Sequence, residues 1–126
     1  MLRRASYLFF IFCLIFDVIV TLKYGNPEGE INSVVKWLLN YYDFKNAVIL
    51  YAMIEFSAIS LIVSAFWKIK INWTPIAIFL VIGAFHIQGA LTWLVKDLDT
   101  SYKVSIIVTI IFFVIVETID KLTKHI

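Results

Sequence analysis

Residues 47–67 read AVILYAMIEFSAISLIVSAFW, twenty-one consecutive positions with a single charged side chain, Glu55. A helix rises about 1.5 Å per residue, so a run of this length crosses the roughly 30 Å hydrocarbon core of a bilayer. Working outward from it, residues 5–24, 74–95 and 103–121 repeat the pattern. The last of these has the shortest strongly apolar centre and needs polar residues at one end to reach across. The expected fold class is all-α: a polytopic membrane protein, built as an up-down bundle of four transmembrane helices, with residues 1–126 forming one membrane domain.

Composition argues against the alternative, in which these runs are core helices of a soluble protein. Of 126 residues, 62% are hydrophobic and 16% charged, and the mean hydropathy is +0.92. Nine acids and eleven bases cannot cover the surface of a soluble domain of this size. The net charge of +2 is small and its bases are scattered, so no nucleic-acid partner is expected. The lone cysteine, Cys13, falls mid-way along the first span and reads as a small apolar filler. The start, Met1-Leu-Arg-Arg4 before an apolar run, imitates a signal peptide. No small-x-small cleavage site follows, and Asp17 interrupts the run, so an uncleaved first span is expected.

One long connection separates the first two spans. It opens with Gly25-Asn-Pro-Glu-Gly29, a turn by composition. Then Ile31, Val34, Val35, Leu38, Leu39 and Tyr42 recur at helical spacing. A short amphipathic interfacial helix over residues 31–42 is expected, lying at the membrane surface or over the bundle mouth. Lysine and arginine distribute as Arg3, Arg4, Lys68, Lys70, Lys121 and Lys124 on one side, against Lys23, Lys36, Lys45, Lys96 and Lys103 on the other. That bias puts both termini in the cytoplasm of a multi-pass cell-membrane protein.

Asp17, Glu55 and His86 sit inside the spans. A charge at the bilayer centre costs about 2.5–3.5 kcal/mol on insertion scales, so such groups pair with one another or serve a task. Counted from the ends away from the termini, Asp17 lies about 8 Å deep, Glu55 about 12 Å and His86 about 14 Å. Pairing requires that the groups meet, so the first three spans should face one another along these positions. Ser57, Ala58, Ser60, Ser64 and Ala65 in the second span, and Gly83, Gly89 and Ala90 in the third, are expected to permit the close approach. The fourth span, rich in Ile, Val and Phe, reads as a lipid-facing partner.

Several chemistries suit this trio. Carboxylate and imidazole ligate divalent metals, with Glu30 and Asn32 folding down from the connecting loop as further ligands. The same groups could hold the polar headgroup of a small amphiphile, with Gln88 nearby, or relay protons. A purely structural network is equally open, in which Asp17 bonds Thr21, Glu55 accepts from a serine or Gln88, and His86 packs as a satisfied core residue. No HExxH, Gly-x-Ser-x-Gly or phosphate-binding loop occurs, which leaves the named hydrolase and nucleotide-binding classes without support.

The run Asp17-Val-Ile-Val-Thr21, then Gly29-Glu30-Ile31-Asn32, then Phe44-Lys45 and Glu55, resembles a family of small prokaryotic integral membrane proteins of unknown function. In that family an Asp-x3-Thr in the first helix precedes a Gly/Glu-x-Asn-Pro turn and an amphipathic stretch. The likeness covers roughly the first 60 residues, and Ser33 stands here where the family usually has proline. It implies a four-helix membrane fold and a functional cluster at Asp17, Glu30 and Asn32. A looser likeness, in architecture and acid placement, is to four-helix sterol- and lipid-binding membrane proteins. The leading expectation is a pocket for a divalent metal ion or a small amphiphile at Asp17, Glu55 and His86, with Glu30, Asn32 and Gln88 around it. The alternatives are a non-catalytic accessory subunit that binds partner membrane helices, and a small membrane-embedded hydrolase.

Overall fold

A computed structural model describes residues 1–125. Its elements are α1 (Leu2–Tyr24), α2 (Ser33–Leu38), α3 (Phe44–Lys68), α4 (Trp73–Val95) and α5 (Leu98–Lys124). α1, α3, α4 and α5 are each long and apolar enough to cross a membrane. The chain is an all-α polytopic bundle. Its ends meet: the amino group of Met1 lies 3.6 Å from Asp120 Oδ1, so both termini share one end of the bundle.

α1 and α4 form the central pair, with α3 packed on one side and α5 on the other. Among the described residues, α3 and α5 do not pack on each other. The central pair comes close because Gly83 lacks a side chain. A Cβ there would stand 2.7 Å from the ring of Phe9. Of the helices, α5 bears the most exposed apolar side chains, including Ile107, Ile110, Ile111, Val114 and Ile115. In water such a face would be an association site; in a bilayer it meets acyl chains, which are as apolar as it is.

Two expectations need correction. The small residues Ser57, Ala58, Ser64 and Ala65 of α3 are exposed, so they do not mediate its approach to the bundle. α3 instead turns another face inward, with Val63 buried and Ala52, Phe56 and Ile59 packed beside it. The helix expected over residues 31–42 is also shorter, only Ser33–Leu38. Caps at both ends explain this. Asn32 accepts from the backbone N–H groups of Val34 and Val35, which starts the helix at Ser33. At the other end, the N–H groups of Asn40 and Tyr41 reach back only three residues, to Trp37 and Leu38. Asp43 then caps α3 by accepting from Asn46 N, so the chain must turn before it.

The remaining connections are tight. α4 ends at Lys96, whose φ of 56° is left-handed and whose N–H bonds Thr92 O, a reversal normally given to glycine. Lys70, at φ 61°, does the same between α3 and α4.

Candidate functional site

Each polar residue lies on the bundle-facing stripe of its helix. On α1 the buried positions Phe10, Cys13, Leu14, Val20 and Thr21 recur every three or four residues, and Asp17 falls within that series. On α4, Phe79, Gly83, His86 and Ala90 are buried. On α3, Val48 and Val63 are buried, and Glu55 falls on the line between them. The packing that buries these stripes therefore brings the three polar residues to one level.

They meet as a chain with the imidazole in the middle. His86 Nδ1 lies 2.8 Å from Asp17 Oδ2, while Thr21 Oγ1 donates to Asp17 Oδ1 at 3.2 Å. Opposite, His86 Nε2 lies 3.1 Å from Glu55 Oε2. That second contact is close but not aligned as a hydrogen bond, and both atoms are buried without a hydrogen-bond partner. His86 is only 7% exposed. An ionised Asp17 accepts from the ring at Nδ1; Nε2 accepts when the ring is neutral and carries a proton toward Glu55 when it is an imidazolium. Gly89 makes room for Asp17, since a Cβ there would lie 3.2 Å from its Oδ1.

A cavity of about 560 Å³ opens above this chain, at the end away from the termini. Asp17, Glu55 and His86 lie at its floor, and Gln88, Glu30 and Asn32 line it as well. The last two are already engaged in the loop. Glu30, buried at 8% exposure, accepts from Asn32 N at 2.7 Å, and the Asn32 side chain caps α2. Together they hold the loop over the opening rather than fold down onto the trio.

The arrangement bears on the metal expected at Asp17, Glu55 and His86. Among the described residues, no three His, Cys, Asp or Glu side chains surround a common point at which an ion could sit. The imidazole separates the two carboxylates, so an ion held at Nε2 could take Glu55 but not Asp17. Two protein ligands are fewer than the three or four that zinc sites use.

Tyr51, Phe85 and Trp93 also line the cavity and were not singled out from sequence. Their spacing was the available signal: Tyr51 lies one turn before Glu55, and Trp93 two turns after His86. Trp93 reads by composition as an interface anchor, yet its ring packs on Gly29, where a Cβ would come within 2.8 Å. It thus fastens the loop to α4.

Below the trio the bundle is closed by aromatic rings. Phe10 lies against His86, with ring centroids 6.2 Å apart, and against Phe79 at 5.5 Å. Tyr7 and Trp67 flank Phe79 at 5.2 and 6.0 Å. At the terminal end the Arg3 guanidinium sits 3.7 Å from the Trp67 ring centroid, a cation–π cover. Comparison with protein families, curated proteins and solved structures finds no match to this chain.

Proposed function

We propose that this membrane protein binds the polar headgroup of a small amphiphile in its one-ended cavity, with Asp17, Glu55 and His86 at the floor and Gln88, Glu30 and Asn32 around the mouth. The observation that carries this reading is the pairing of a roughly 560 Å³ chamber, apolar over most of its wall and carrying a few convergent polar groups, with packed aromatic rings beneath it. The volume suits a small organic ligand, and the floor favours binding over conduction from one side to the other. The inward direction of the polar groups favours a ligand over a partner helix, which would need polar groups facing outward. Catalysis by a side-chain nucleophile has less support, because Thr21 is bonded to Asp17 and Thr92 to the Gln88 carbonyl rather than to His86. We place it in the cell membrane; its lysine and arginine distribution then favours both termini on the cytoplasmic side, so the cavity opens toward the outer leaflet.

Mass spectrometry of small molecules extracted from the detergent-purified protein tests the reading. A stoichiometric amphiphile that co-purifies with the wild type and is lost from a Glu55→Gln, His86→Gln double variant of unchanged helicity supports it. An empty cavity in both, with no amphiphile bound on addition, overturns it.

A further inference from the structure

The cavity is acidic without a compensating base. Three carboxylic side chains line it, Asp17, Glu30 and Glu55, and the only basic side chain among its lining residues is His86. Among the described residues, no lysine or arginine lines it. Within it, His86 Nε2 and Glu55 Oε2 stand 3.1 Å apart, both buried and both without a hydrogen-bond partner. With Nδ1–H committed to Asp17, Nε2 and Oε2 face each other at a distance that calls for a proton between them. One ring cannot neutralise three carboxylic side chains, so the site is short of both hydrogen-bond donors and positive charge.

Headgroup chemistries differ in how they meet that need. A carboxylate or phosphate brings acceptors and further negative charge to a site that has both in excess. A hydroxyl brings one donor and no charge. A protonated amine brings up to three donors and a positive charge, enough to serve more than one carboxylate oxygen in charge-assisted hydrogen bonds. The walls agree, since Tyr51, Phe85 and Trp93 line the cavity and aromatic rings attract cations. Phe85 and Gln88 also border an apolar groove between α4 and α5, lined by Leu80, Ala84, Ile106 and Ile110. This gives the tail of the same ligand a path from the chamber to the lipid.

Resting on the amphiphile reading above, we infer that the headgroup this cavity takes is a protonated primary or secondary amine, held by the Glu55 carboxylate, which His86 and Asp17 position at the cavity floor. The tail lies in the α4–α5 groove.

The test uses the full chain in dodecyl maltoside, titrated calorimetrically with dodecylammonium, dodecyltrimethylammonium, dodecanol and dodecanoate, with protein-free micelles as the blank. The wild type should bind dodecylammonium at least tenfold more tightly than each of the other three, and Glu55→Gln should remove most of that preference, about tenfold. The comparison among ligands is made on unaltered protein, so it stands even if a variant fails to fold. Equal affinity for all four, or a preference for dodecanol or dodecanoate, overturns the amine assignment while leaving an amphiphile pocket in place. A preference for the trimethyl compound overturns the hydrogen-bond role of Glu55. Binding of none of the four overturns the amphiphile reading itself.

Discussion

The two halves of this bundle are built from the same faces of the same helices and end up with opposite character. Toward the termini, Tyr7 and Phe10 of α1, Phe56 and Trp67 of α3 and Phe79 of α4 fill the interior with rings. About two turns further along α1 and α4 the same stripes carry Asp17 and His86, and Glu55 of α3 joins them at a cavity. Helix periodicity decides which residues face inward, while position along the axis decides whether the interior is dry or polar. The difference shows how each half is held. Rings need only fill space, because in a membrane their burial gains contacts rather than escape from water. The polar half depends on each group finding its partner, and one pair, Nε2 and Oε2, is left incomplete.

The largest effect should come from opening the aromatic half. Phe10 is fully buried and touches both the plug and His86, so Phe10→Ala should destabilise the protein by about 3 kcal/mol. Thermal melts followed by circular dichroism in detergent measure this, and a loss below about 1 kcal/mol would mean the rings are not a packed floor. Next, Asp17→Ala leaves a buried ring N–H without an acceptor and should cost about 2 kcal/mol. Asp17→Asn, which keeps an acceptor oxygen, should cost less than half as much in the same melt. Gly89→Ala comes third. Its new methyl would sit 3.2 Å from the Asp17 carboxylate, so a loss of about 1 kcal/mol is expected, and it should shrink when combined with Asp17→Ala because the two share one contact. The smallest change lies outside both halves. Lys96 holds φ at 56°, where glycine carries no Cβ penalty, so Lys96→Gly should raise stability by up to about 1 kcal/mol without altering amine binding.

Much of the fold is legible in the sequence, because span length and hydropathy are properties of each segment alone. Residues 47–67, for example, lie inside α3 (Phe44–Lys68) and differ from it by only a few terminal positions. The level of Asp17, Glu55 and His86 also follows from counting rise per residue. What needed coordinates was rotation and order. Alternation of small and large residues on α3 does not say which face turns inward, and Ser57, Ala58, Ser64 and Ala65 turn out. Nor does depth tell that the imidazole stands between the carboxylates, which separates a linear chain of contacts from a metal cage. The helix over Ser33–Leu38 was overextended by periodicity because Ile31 and Tyr42 fit its pattern, while Asn32 and the turn before Asp43 set its true ends. Trp93 shows the same limit, since an interface aromatic and a loop fastener have one composition.

The most direct test of the central claim, that Asp17, His86 and Glu55 meet in one buried chain, is the ring-nitrogen NMR spectrum of His86. The protein, labelled with 15N-histidine in detergent, has only one other histidine, His125, so His86→Gln assigns the signals. The account predicts a hydrogen-bonded Nδ1–H resonance that Asp17→Ala shifts or removes, and an Nε2 signal that Glu55→Gln and added dodecylammonium both move. A His86 spectrum unchanged by either substitution, with the ring exchanging freely between tautomers, would contradict it.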